Sequence, residues 1–219
     1  MCGQFRLGGK INIIKDIEKA TGLDITEAAE SRYLAAAGEF LFLPFHDVPV
    51  LFTDRDGAVK TRKMYWQLIY SWSEEFKSKY TAFNIRAESL EKRHNLPLLR
   101  FHRCLFPVSG FYEIKKLGGK TVMPKERYEF TFKDRGIIAL GGVYSVWTNP
   151  AGREEQRLSA AIITVEPNTT VGAVHNRMPF IVPAESCRTW VDPDATDFDS
   201  LVDMVVPFES EEMVRTRTD

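Results

Sequence analysis

Two runs decide the fold: "IIALGGVYSVW" (137–147) and "RLSAAIITV" (157–165), separated by the turn "TNPAG" (148–152). Both are rich in β-branched and aromatic residues, which fit a packed, pleated surface better than a helix. The Asn-Pro-Ala-Gly stretch between them reads as a turn. Working outward, "RYEFTF" (127–132), "GFYEIKK" (110–116), "LLRFHRCLF" (98–106), "KMYWQLIY" (63–70), "VPVLF" (48–52) and "QFRL" (4–7) read as further strands. Turn signals recur at "TDRDG" (53–57), "KKLGGK" (115–120) and "KDRG" (133–136). Strands that follow one another without a regular intervening helix predict an α+β fold, with a mostly antiparallel sheet or barrel and peripheral helices. One helix is expected in "INIIKDIEKATG" (11–22), with Ile13, Ile14 and Ile17 on one face and Gly22 as its C-cap. Others are expected at 73–79, 85–92, 184–190 and 196–203. No repeat, linker or composition shift divides the chain, so 1–219 reads as one domain.

Composition narrows the function classes. With 219 residues and 44% hydrophobic content, the chain can bury a core without disulfide staples. A net charge of −1 excludes a uniformly basic nucleic-acid coat but leaves room for a local basic groove. Three cysteines, Cys2, Cys104 and Cys187, are too few and too scattered for a disulfide framework or a zinc site. No apolar run approaches a membrane span and no signal-peptide core follows the start. The expected address is the cytoplasm, with thiols kept reduced and neither metal nor cofactor.

Four stretches are denser in reactive groups than packing requires. The first is Cys2–Gly3 in "MCGQF" (1–5): removing Met1 exposes a thiol and an α-amine on adjacent carbons, a 1,2-aminothiol. The second, "FNIRAES" (83–89), carries Asn84, Arg86 and Glu88 at alternate positions, although Asn84 also suits an ordinary helix N-cap. The third, "FPVSGFYEIKK" (106–116), sets Glu113 in an apolar, aromatic strand. Facing inward, its neutral form would be favoured, as a general acid requires; facing outward, it is a surface residue. The fourth, "VHNRMP" (174–179), holds His175 and Arg177, and a lone histidine is more often structural than catalytic.

Together these motifs resemble the SOS response-associated peptidase family, in order and rough spacing over nearly the whole chain. "WQLIYSW" (66–72), "LPFHDVPVL" (43–51), "LGGVYSVW" (140–147) and "IITVEPN" (162–168) add weaker echoes. The resemblance implies a monomer that binds single-stranded DNA containing an abasic site and cross-links to it through the N-terminal cysteine. The Cys2 amine would condense with the ring-opened sugar aldehyde, and the thiolate would close a thiazolidine. By motif position, Glu113 would handle protons, His175 would exchange them with a sugar hydroxyl, and Asn84 would orient the amine or sugar. Arg86 and Arg177 would contact phosphates, Trp66 would offer an apolar wall or stacking face, and Gly3 lies in the same contact region. A peptidase activity using Cys2, Glu113 and His175 is the other chemistry the family name suggests.

Several positions depart from the family pattern. Gln4 stands where arginine is usual, which predicts the loss of a fixed charge beside the site. Ile114 replaces a tryptophan, and Gln67 and Tyr70 replace a glycine and a proline. These changes predict intact covalent chemistry with a weakened grip on undamaged strands. Two other readings of "MCG" remain: a class II glutamine amidotransferase, which also uses Cys2 as nucleophile but expects arginine and Asn-Gly motifs not found here, and a non-catalytic DNA-binding relative.

Overall fold

A computed structural model of the chain describes residues 2–9, 13–27, 38–54, 56–77, 81–117, 120–152 and 155–219. In chain order the strands are β1 (Phe5–Gly9), β2 (Ile25–Glu27), β3 (Gly38–Phe42), β4 (Asp47–Thr53), β5 (Val59–Trp66), β6 (Asn84–Arg86), β7 (Arg103–Val108) and β8 (Gly110–Ile114). They continue with β9 (Lys116–Leu117), β10 (Lys120–Thr121), β11 (Arg127–Phe132), β12 (Ile138–Thr148), β13 (Gln156–Val165), β14 (Met178–Pro179), β15 (Ile181–Val182) and β16 (Met213–Arg217).

The hairpin of β12 and β13 forms as the sequence predicts, with Gly142 opposite Ile162 and Thr148 opposite Gln156. β12 pairs on its other side with β7, β7 with β4 and β4 with β5, all antiparallel. A short parallel pairing of β5 with β13, Ser159 opposite Tyr65 and Ala160 opposite Trp66, closes these five strands into a barrel. Closure removes the exposed edges that an open sheet would leave. Nearly every position of β12 is buried, which explains its almost continuous apolar run.

Within that run Gly142 admits no side chain. A Cβ there would stand 2.5 Å from the Phe106 ring and 2.6 Å from the Ala161 carbonyl oxygen. Gly142→Ala is therefore expected to cost about 1–3 kcal/mol of stability through overpacking. Chemical denaturation checks this, and an unchanged midpoint would contradict it.

A second, antiparallel sheet runs in the order β16-β11-β8-β1-β3. The chain crosses into it from the barrel at Ser109, whose amide donates to the Arg6 carbonyl at 2.7 Å. The two layers meet through aromatic rings: Phe5 of β1 lies 5.0 Å from Trp66 and 6.3 Å from Phe106. Phe111 and Phe130 stack at 5.0 Å on the same inner face. Helices lie at the periphery, at Ile13–Thr21, Leu96–Phe101, Thr169–Gly172, Cys187–Val191 and Phe198–Asp203. The expected α+β architecture with a mostly antiparallel barrel core holds.

Four local expectations differ, the first being the strand expected at 63–70, which runs Val59–Trp66 and stops at Gln67. The strand expected from 98 begins only at Arg103, because Pro97 sits in the first turn of the helix Leu96–Phe101 and Leu98 and Leu99 are its buried face. Residues 85–92 are not helical: Asn84–Arg86 pairs in parallel with β13, and only Ala87–Ser89 makes a 3₁₀ turn. Residues 73–77 contain bends, not a helix, and the rest of the 73–79 expectation lies outside the described residues except for its flanks.

Candidate active site

Cys2 leads directly into β1, where the Tyr112 amide donates to the Gln4 carbonyl at 2.9 Å and ties the start of the chain to β8. The cysteine is fully buried, with Sγ 3.9 Å from the Gln4 carbonyl oxygen. Burial, and then the nearby Glu113 carboxylate, push its thiol well above the ordinary range. The thiol is therefore protonated at neutral pH until something takes its proton.

Asn84 reaches this point from the barrel. β6 pairs with β13, and the Asn84 Nδ2 donates to the Cys2 carbonyl at 2.8 Å. The amide's other end, Oδ1, is buried without a hydrogen-bond partner among the described residues. An orphaned buried acceptor of this kind suits a ligand donor.

Glu113 arrives on β8, opposite Tyr128 of β11, and is only 5% exposed. The alternation of β8 turns Phe111 and Glu113 inward and Tyr112 and Ile114 outward. Burial raises the Glu113 carboxyl to about 7, so acid and carboxylate coexist near neutrality.

His175 follows the short helix Thr169–Gly172, which Asn168 caps by accepting from the Val171 amide at 2.9 Å. The Lys116 amide donates to the Val174 carbonyl at 2.8 Å and holds this loop against the end of β8. His175 Nδ1 lies 3.0 Å from the Arg177 amide nitrogen, which donates to it in one tautomer, and 3.2 Å from the Arg177 carbonyl, to which it donates in the other. Nε2 lies 3.9 Å from Glu113 Oε2. Burial lowers the imidazole to about 4, so this contact is a neutral imidazole facing a carboxyl, not an ion pair. The separation is too long for the attraction to repay desolvation.

Cys2, Asn84, Glu113 and His175 thus lie together although they come from four distant segments. The remaining candidates divide. Gly3 is half-buried between Cys2 and Gln4, and Arg86 is exposed at the end of β6. Arg177 is buried and committed elsewhere: it binds Glu88 through two nitrogens at 2.6 and 3.0 Å, Glu166 at 2.8 Å, and the Thr164 carbonyl. Its surroundings make it an anchor between the 3₁₀ turn and β13, not the free phosphate contact its motif suggests. Of the two roles expected for Trp66, an apolar wall or a stacking face, the second is corrected: it is fully buried, packs against Phe5, Phe83 and Phe106, and donates Nε1 to the Phe83 carbonyl at 2.9 Å. It offers no open stacking face; the exposed indole nearby in sequence is Trp72, 62% exposed and stacked on Tyr70 at 4.4 Å.

Two cations were not singled out from the sequence. Lys116 acts electrostatically on both Glu113 and His175, lowering each. Arg127 stands beside Gln4, its Nη2 donating to Gln4 Oε1 at 2.6 Å. The position expected to have lost its charge therefore has a guanidinium next to it. The only sequence signal was alternation, which places Arg127 opposite Ile114 on the outer face of the sheet. Among the described residues no three His, Cys, Asp or Glu side chains cluster closely enough to hold a metal, and no helix is long and apolar enough to cross a membrane.

A family model described as SOS response associated peptidase (SRAP) matches residues 1–218. The abasic site processing protein YoqW of Bacillus subtilis is 30% identical over 220 residues, spanning 97% of this chain and 90% of that protein. The abasic site processing protein HMCES of Gallus gallus is 29% identical over 149 residues, spanning 59% of this chain and 44% of that one. Among solved structures, a Bacteroides thetaiotaomicron protein superimposes with a TM-score of 0.77 at 21% identity, covering 98% of this chain and 92% of the other.

Proposed function

Because the chain belongs to the SOS response-associated peptidase family, whose matched relatives are named abasic site processing proteins, we propose that it binds single-stranded DNA at abasic sites and bonds covalently to them through Cys2. The observation that carries this reading is the meeting of the Cys2 backbone and thiol with Asn84, Glu113 and His175 in one buried cluster.

The chemistry follows from the residues. Removal of Met1 makes Cys2 a 1,2-aminothiol. Opening the sugar hemiacetal moves a proton from the C1′ hydroxyl to the ring oxygen, and a carboxyl near its pKa can accept one proton while donating another. Glu113 fits that role. The Cys2 amine adds to the C1′ aldehyde, and protonated Glu113 lets the resulting hydroxyl leave as water, giving an imine. The nitrogen keeps its proton, so the imine forms as an iminium; the thiol adds to its carbon as the Glu113 carboxylate takes the thiol proton, closing the thiazolidine with one water lost overall and Glu113 protonated again. His175, held neutral, serves through Nε2 as a hydrogen-bond partner of the substrate and not as an acid at pH 7. Asn84 fixes the Cys2 backbone and leaves Oδ1 for the amine or a sugar hydroxyl.

Intact mass spectrometry after incubation with an abasic oligonucleotide tests the proposal. The expected species is the chain without Met1 plus the oligonucleotide, minus one water. Unmodified protein, or glutamine hydrolysis without an adduct, would overturn it.

A further inference from the structure

We propose that Arg127 is the phosphate-binding residue that grips the strand beside Cys2, with Gln4 and Tyr112 as the positioning residues that aim it. This rests on the reading of the protein as an abasic-site DNA binder. The case begins with charge pairing. Two arginines of the same sheet are paired with carboxylates, Arg6 with Glu129 and with Glu39 at 2.8 Å and Arg217 with Asp219 at 3.1 Å, while Arg215 of β16 lies over the Tyr128 ring. The guanidinium of Arg127 has no carboxylate partner among the described residues. Its partners are neutral: the Gln4 side-chain oxygen at 2.6 Å and the face of Tyr112 with Cζ 4.0 Å from the ring centroid. One donor of the five on the fork is used by Gln4, and the ring uses none.

The placement is specific. Arg127, Ile114, Tyr112 and Glu129 share the outer face of β8 and β11 by register. Both carboxylates near it are engaged by other groups: Glu129 pairs with Arg6, and Asp219 accepts from the Arg217 guanidinium at 3.1 Å and from the Arg127 backbone amide at 3.0 Å. Gln4 lies two residues from Cys2, about 7 Å along an extended chain, and the end of its side chain holds the Arg127 guanidinium on the outer face of the sheet. A half-buried guanidinium, fixed by an amide and an aromatic plane, loses little freedom when it takes a phosphate with two parallel hydrogen bonds. The charge expected to be missing at position 4 is thus supplied from β11.

Titration of an undamaged single-stranded oligonucleotide over a range of salt concentrations, with abasic cross-linking measured in parallel, tests this. Arg127→Gln is expected to lower the slope of log affinity against log salt by about 0.7 and to raise the oligonucleotide concentration for half-maximal cross-linking several-fold. Arg127→Lys is expected to keep the slope yet bind less tightly, since a point charge lacks the fork. Gln4→Leu, which leaves β11 intact, is expected to weaken binding as well, and it decides the matter should Arg127→Gln fail to fold. Arg188→Gln, an exposed charge away from the site, is expected to match the wild type. Wild-type slopes and affinities in Arg127→Gln or Gln4→Leu, or an equal slope loss in Arg188→Gln, would overturn the inference while the wild type cross-links. A wild type that does not cross-link would instead overturn the function it rests on.

Discussion

Cys2→Ala is expected to abolish the heat-stable adduct with an abasic single strand. The variant keeps an α-amine after loss of Met1, so an imine still forms, but no sulfur closes the ring and water reverses the bond. The adduct should survive denaturation only when a borohydride reductant traps the imine. Cys2→Ser should give a weak link through the imine or an oxazolidine, because a hydroxyl is a poorer nucleophile than a thiol. The other cysteines do not substitute: Cys104 and Cys187 are buried, with burial raising the Cys104 thiol and pushing Cys187 up to about 12. A gel run after heating, with and without reductant, distinguishes the three proteins. A heat-stable, unreduced adduct of wild-type yield in Cys2→Ala would sink the mechanism.

Glu113→Gln is expected to slow cross-linking by on the order of 10²–10⁴ while making the folded protein more stable at alkaline pH. The two effects share one cause. Burial holds the carboxyl at about 7 against an ordinary 4.5. Its unfavourable contribution is absent below 4.5, grows between 4.5 and 7 and is complete above 7. At pH 8 that contribution is worth about 3 kcal/mol, which the glutamine variant escapes. His175 runs the other way: lowered from 6.5 to about 4, it costs nothing above 6.5 and most below 4. Glu113→Gln should therefore gain stability at pH 8 and gain none at pH 4. Denaturation at the two pH values reads this directly, and equal gains at both would contradict it. In the wild type the rate should peak between about 7 and 8, since Glu113 must be protonated to release water and the amine, near 8, must be neutral to attack. The alkaline limb should vanish in Glu113→Gln; its persistence would remove Glu113 as the acid.

The candidate site was legible to unequal depths. Cys2, Asn84, Glu113 and His175 lie in stretches dense in reactive groups, and their match to the family motifs gave them roles that each residue alone left open. Arg177 and Trp66 stood out for motif reasons, yet the fold uses both internally. A guanidinium in "HNRMP" looks the same in sequence whether Glu88 and Glu166 lie beside it or not. Arg127 attracted no notice, because what makes it distinctive is that its guanidinium meets Gln4 and Tyr112 instead of a carboxylate, and that depends on Arg6 having taken Glu129 and Arg217 having taken Asp219.

By itself the sequence determined β4, β12 and β13 of the barrel and β1, β8 and β11 of the second sheet, but it placed β5 and β7 only in part and did not reveal β3 or β16. Alternation, β-branching and turn residues act within a few positions, so the hairpin of β12 and β13 and the strand Arg127–Phe132 are written locally. Tertiary structure decided what lies far apart along the chain. Asn84 joins a strand instead of capping a helix because β13 offers it a free parallel edge. Glu113 faces inward because β8 is paired between β1 and β11 in the register that also buries Phe111. A period of two defines two faces for a strand, but only long-range pairing chooses which face meets the core, and that choice sets the Glu113 pKa near 7 and brings it to Cys2.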